Sequence, residues 1–92
     1  MAPDARETAE AAIGRVLLEQ WDPLGVRDAP GPHAEYAPYV HDVYGLLMRG
    51  ASDAQVERHL RRVEREELRR RELAARDLAP VLRALRAMER AV

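Results

Sequence analysis

Between Ala54 and Ala79 the chain contains no Gly, Pro, Asn, Ser or Thr, whereas Trp21 to His33 holds three prolines and two glycines in thirteen residues. The first stretch lacks every residue that readily makes a tight turn, and the second cannot continue a helix. On both sides of the Pro-rich stretch, Leu, Val and Ala recur every three to four positions, the spacing of helices that pack by one face. These features predict a single all-α domain over residues 1–92. The expected architecture is a three- to four-helix antiparallel bundle with a Pro/Gly-rich first loop and a long charged third helix kinked near Pro80.

The first helix is expected from about Asp4 to Gln20. Asp4 suits the N-cap, and Glu7 and Glu10 suit the positive end of the helix dipole. Ala9, Ile13, Val16 and Leu17 share a face that Trp21 continues, and Gly14 is read as a point of close helix approach. In the loop, Asp22-Pro23-Leu24-Gly25 matches a type I turn, with Asp at the first position, Pro at the second and Gly at the fourth. A second helix is expected over about Ala34–Arg49, with Pro38 in its first turn and Gly50 just past its end. Ser52-Asp53-Ala54-Gln55 reads as a capping box that opens a third helix, and Val56, Leu60 and Val63 form its core stripe.

With no turn former present, that helix is expected to reach about Leu78, supported by Glu57/Arg61, Glu66/Arg70, Glu67/Arg71 and Glu72/Arg76 pairs four residues apart. Glu67, Arg70 and Arg71 interrupt its apolar stripe between Val63 and Ala74, so the stretch either projects beyond the core or hides a break. A rod from Ser52 to Leu78 would measure roughly 40 Å, more than a small domain needs. Pro80 kinks or restarts it, and Val81, Leu82, Leu85 and Met88 give a last helix over about Ala79–Ala91.

The string Leu17-Leu18-Glu19-Gln20-Trp21-Asp22-Pro23-Leu24-Gly25-Val26 resembles a family of small bacterial proteins of unknown function. Its pattern is a Leu-rich helix ending in W-D-P-[IL]-G-V, then an E-Y segment, an apolar helix, and a Gly-small-Ser step into a Leu/Arg-rich helix. Here the later parts are Glu35-Tyr36, Val40 to Met48, and Gly50-Ala51-Ser52 leading to Leu60-Arg61-Arg62-Val63-Glu64. The resemblance covers about residues 13 to 65. The family has a short turn after that glutamate, where this chain continues in charged helical sequence. The resemblance implies no reaction and no catalytic residue.

Composition narrows the function classes. The net charge is −1, against a general polyanion binder. There is no cysteine, which excludes disulfide, thiol and zinc-thiolate chemistry. All 15 basic residues are Arg; a GC-rich coding sequence gives the same bias, so Arg in place of Lys carries no argument. No basic segment leads into an apolar run, and no window approaches a membrane span, so a cytoplasmic protein without membrane contact is expected. Thr8 and Ser52 are the only hydroxyl residues besides tyrosine. Ser52 is a helix cap and Thr8 has no histidine near it, so no nucleophile with a base is evident. His33, His41 and His59 lack the spacing of metal ligands on one helical face. No enzyme activity, metal or cofactor is therefore expected.

Two candidate sites remain. Trp21, Asp22, Pro23 and Gly25 form a loop anchor in which Trp21 plugs the bundle and Asp22 holds the turn. A small-ligand or catalytic pocket there, bounded by Tyr36, Tyr39 or Tyr44, is the alternative. Arg58, Arg62, Arg65, Arg69 and Arg76 fall within about 40° of one line on a continuous helix, opposite Val56, Leu60 and Val63. That row is either a solvated face of ion pairs or a surface for a partner. An acidic protein is favoured over nucleic acid, because Glu57, Glu64 and Glu66 edge the row and no aromatic residue is interleaved for stacking. Leu78, Val81, Leu85 and Met88 either complete the core or meet a second copy, because a chain this short has a thin core. The expected function is thus that of a non-catalytic interaction protein, acting as a homodimer or as an adaptor to a protein partner.

Overall fold

A computed structural model of the chain describes residues 4–31 and 33–91. Pro32 of the first loop, the N-terminal Met1 to Pro3 and the C-terminal Val92 lie outside the described residues. The described residues form four α-helices and no strand: α1 (Ala5–Val16), α2 (Ala37–Met48), α3 (Asp53–Arg62) and α4 (Ala79–Ala91). Helix α1 runs on into a π turn, Leu17–Trp21, and α3 into a second, Val63–Glu67. A 3₁₀ turn, Arg71–Ala75, precedes α4.

Most ends are set by the local chemistry. Asp4 Oδ1 accepts from the Glu7 N–H at 2.7 Å, satisfying an orphan donor of α1. At α3, Gln55 N–H donates to Ser52 Oγ at 3.2 Å while Ser52 N–H donates to Gln55 Oε1 at 2.8 Å, a complete capping box. Gly50 ends α2 at φ 75°. Its N–H reaches the Leu47 carbonyl, and the Ala51 N–H reaches that of Leu46, a Schellman pair. Helix α2 begins at Ala37, three residues later than the sequence suggested. Pro38 has no N–H and is tolerated only in a first turn.

Helix α1 is central and packs on both α2 and α4, while α3 closes against α2 and α4 more lightly. Neighbours run antiparallel. Ala5 and Ala9 of α1 share a groove with Leu47 and Met48 at the far end of α2, and Trp21 meets Tyr36 at its start. Arg86 of α4 bonds Asp53 at the start of α3. The thinnest dimension is 20 Å, the depth of two helix layers. The core comprises Ile13, Leu17, Trp21, Tyr36, Val43, Leu47, Ala51, Val56, Leu60, Val63, Leu78, Val81 and Leu85. Leu78, Val81 and Leu85 therefore complete the monomer's own core, and Met88 packs half-buried against it.

The long third helix does not form. The chain leaves α-helical phase at Arg62 and turns at Leu68–Arg70. Leu68 N–H donates to the Val63 carbonyl and Arg70 N–H to that of Glu64, with Arg69 in the left-handed region at φ 57°. This is the geometry of a helix end that usually carries glycine. With arginine in the glycine position, composition hid the break. Arg61 then clamps the chain beyond it. Its guanidinium donates to the Leu73 carbonyl at 3.1 Å and to the carbonyl of Arg76. Pro80 accordingly starts a helix rather than kinking one, as the second residue of α4.

Gly14 faces Val40, but a Cβ built there would sit 3.8 Å from Val40 Cγ2, an ordinary contact. Close approach does not require the glycine. Gly14→Ala is expected to stabilise the protein by about 0.5–1 kcal/mol through helix propensity, read as a raised urea midpoint. A lowered midpoint would show that α1 and α2 meet more tightly than this.

Candidate functional site

The Trp-Asp-Pro loop is built from its own residues. Trp21 closes the π turn and is fully buried. Its ring lies 5.6 Å from that of Tyr36, tilted by 45°, and 6.1 Å from that of Tyr39, nearly edge-on at 84°. Asp22 follows with φ 36°, a left-handed position that Asp tolerates better than most residues. Its Oδ1 accepts from Val26 N–H at 2.9 Å and from the Tyr36 hydroxyl at 2.8 Å. Its Oδ2 accepts from Arg27 N–H at 3.2 Å. The Gly25 N–H reaches the Asp22 carbonyl at 3.1 Å, which closes the turn expected from Asp22-Pro23-Leu24-Gly25. Pro23 is buried beneath it, and Gly25 takes φ 66°. Tyr36 completes the loop by accepting from Leu24 N–H at 2.9 Å.

The side-chain oxygens of Asp22 and Tyr36 are thus engaged within the loop itself. Burial pushes the Tyr36 phenol far above its usual range against the Leu24 N–H, and the bond to Asp22 adds to the rise. Burial raises Asp22 as well, but the donors from Val26, Tyr36 and Arg27 outweigh it and hold the carboxyl below its ordinary value. A depressed folded value means stability that is complete above the ordinary 3.8 of the unfolded chain and is lost as pH falls through the folded value. The stability gap between the native protein and Asp22→Asn, which keeps the left-handed preference, should therefore narrow below about that pH. A gap independent of pH in urea titrations would remove the charge from this account.

The loop's central partner was not among the sequence candidates. Glu64 lies in the second π turn, 2 % exposed, and its Oε2 accepts from the Trp21 indole N–H at 2.8 Å. Arg61 Nη1 stands 3.5 Å from Oε1, and Arg76 Nη2 stands 3.5 Å from Oε2. One carboxylate thereby satisfies the buried indole, and two partly exposed guanidinium groups offset its charge. The signal was present: Glu64 follows Leu60 by four residues and sits at the edge of the apolar stripe, and the single Trp needs an acceptor. A groove of about 280 Å³ beside the loop takes in His33, Tyr36, Gly14 and Val40.

The arginine row is only partly assembled. Arg58, Arg62 and Arg65 are exposed along α3 and its π turn. Arg69 falls in the left-handed turn, and Arg76, in extended backbone, points back at Glu64. Those two leave the row because the α-helical register that aligned them stops at Arg62. Other residues take their place. A concavity of about 630 Å³ is lined by Arg58, Arg61, Arg62 and Arg65 together with Leu46, Ala54, Gln55, Glu57 and His59. A second, of about 480 Å³, continues past Arg61 and Arg65 to Arg70 and Arg71. Arg58, Arg62 and Arg71 have no carboxylate within ion-pair distance among the described residues, while Arg65 and Arg70 pair with Glu66 and Glu72 on the surface.

His59 sits between the concavity and α2, with its Nε2 buried and unbonded and its Nδ1 3.4 Å from Arg62 Nη2. Burial lowers its pKa, Arg62 adds to that, and Asp42 and Glu67 oppose it. Among the described residues no three His, Asp or Glu side chains converge as metal ligands, and no helix is long and apolar enough to cross a membrane.

Compared with protein-family models, curated proteins and solved structures, the chain finds no match. The reading of function therefore rests on the surface itself. Three unpaired guanidinium groups around a continuous hollow can grip planar anions by paired hydrogen bonds.

Proposed function

We propose that the chain is a non-catalytic interaction protein, an adaptor that receives a protein partner on the arginine-lined face of α3. The observation that carries this reading is the pair Arg58 and Arg62, exposed, without a carboxylate partner among the described residues, and set beside a hollow also lined by Leu46 and Ala54. The missing ion pair alone does not set them apart, since the exposed Arg15 of α1 and Arg83 of α4 have none among the described residues either; the hollow they share with Arg61 and Arg65 does. The Trp-Asp-Pro loop supports the reading indirectly, because its polar groups are spent on folding and leave little for substrate chemistry. A cytoplasmic location and kinship with the small bacterial W-D-P-[IL]-G-V proteins belong to the same proposal, the kinship supported by the Trp21–Val26 string.

Photo-crosslinking in the source cell tests it. A photoreactive residue at Arg62 should give one discrete heterologous adduct that the same residue at Arg83, exposed on α4, does not give. Equal patterns from both positions would sink the reading.

A homodimer is the second reading, favoured by one observation. Met48 is 68 % exposed and borders an apolar groove of about 230 Å³ with Ala5, Ala9, Ile13, Tyr44, Leu47 and Met88. Light scattering that reports twice the chain mass, reverting to one with Met48→Glu, would favour it over the adaptor.

A further inference from the structure

Resting on the adaptor reading, we infer that the partner enters as a short acidic segment with one apolar residue at one end. The apolar residue seats at Leu46 and Ala54, and the carboxylates run along Arg58, Arg62 and Arg65 toward Arg71.

The two concavities differ in lining, and that difference places the apolar residue at the Arg58 end of the tract. The larger one has Leu46 and Ala54 in its wall beside Arg58 and Arg62. The smaller one offers the guanidinium groups of Arg65, Arg70 and Arg71 with only Ala74 as an apolar residue. They share Arg61 and Arg65, so the tract is continuous. From Arg58 to Arg65 the helix rises about 10 Å, and about six extended residues span this and the turn beyond it.

The tract's own acids do not fill it. Glu57 stands 3.5 Å from Arg61, and Glu64 is bonded to the buried Trp21. Arg58, Arg62 and Arg71 keep their charge unneutralised among the described residues, although the chain as a whole carries −1. A carboxylate matches the planar fork of a free guanidinium, two hydrogen bonds at a time. A nucleic acid fits less well. No Phe, Tyr or Trp lines either hollow for base stacking.

The probe is a fluorescein-labelled peptide of one Leu followed by Glu residues, titrated with the full chain and read by fluorescence anisotropy. Binding is expected to weaken at least about tenfold in the double variant Arg58→Glu/Arg62→Glu and steeply with added salt. It should be unchanged in Arg83→Glu/Arg90→Glu, which alters charge equally on α4. Both pairs are exposed, and thermal melts of the two variants confirm that each still folds. Replacing the Leu by Glu should cost affinity. Equal binding by the Leu-bearing and all-Glu peptides overturns the apolar seat, and equal binding by both double variants overturns the tract. Tighter binding of a single-stranded DNA of matched charge replaces the acidic segment with nucleic acid. No peptide binding, together with an Arg62-specific crosslink in cells, would overturn this inference while sparing the adaptor reading. Loss of the crosslink as well would remove both.

Discussion

Trp21→Ala is expected to lower stability by about 3–5 kcal/mol, a fall in melting temperature of order 20 °C for a domain of this size. The residue is fully buried and is the largest side chain in the core. Its removal empties the space between α1, Tyr36 and Tyr39. It also strips Glu64 of its closest hydrogen-bond donor, so the cost exceeds the apolar area alone. A domain of about ninety residues is stable by roughly 5–14 kcal/mol, so this single change removes a large part of the total. Calorimetry would record it, and an unaltered melting temperature would show that the indole is not the plug of this fold.

Glu64→Ala carries the second largest expected effect, about 2–4 kcal/mol. The buried indole N–H then has no acceptor, whereas Arg61 and Arg76, with side chains 23 % and 37 % exposed, can turn partly to water. That asymmetry makes the indole, not the ion pairs, the main source of the loss. Glu64→Gln should therefore be milder, because the amide oxygen still accepts from Trp21. A double-mutant cycle with Trp21→Phe isolates the bond, and a coupling energy of about 1 kcal/mol or more is expected for groups in direct contact. Coupling indistinguishable from zero would mean that the 2.8 Å contact contributes nothing beyond packing.

Both partners of that bond lie in π turns, one at the end of α1 and the other beyond α3. Such turns widen the helix by one residue and shift the side chains that follow out of α-helical phase. Helical-wheel reasoning assumes a constant phase. It placed Trp21 correctly in the core, since Ile13, Leu17 and Trp21 are each four residues apart, and it passed over Glu64. The same assumption produced the five-residue arginine row. Arg58, Arg62 and Arg65 share one concavity, while Arg69 and Arg76 belong to the segment that turns away. Arg70 and Arg71, which looked like interruptions of a stripe, line the neighbouring hollow.

The loop residues were more legible, because their signals are local. Asp22, Pro23 and Gly25 occupy the turn positions their side chains favour, and Asp22 bonds backbone no more than five residues away. That Tyr36 would supply the loop's hydroxyl needed the fold, which brings it back over fourteen residues.

Interactions within about five residues are what this sequence decides alone: the caps at Asp4 and Ser52, the stop at Gly50, the Asp22 turn, and helices wherever Leu, Val and Ala keep a 3.6-residue period. The tertiary structure decides where the charged stretch after Arg62 stops being helix. No local residue ends it; the hold comes from afar, from the Glu64 bond to an indole 43 residues away and from Arg61 reaching carbonyls twelve and fifteen residues on. Contacts at that range exist only once the helices have packed. A pattern read along one rod therefore sees a continuous helix, where the packed chain finds more stability in a break.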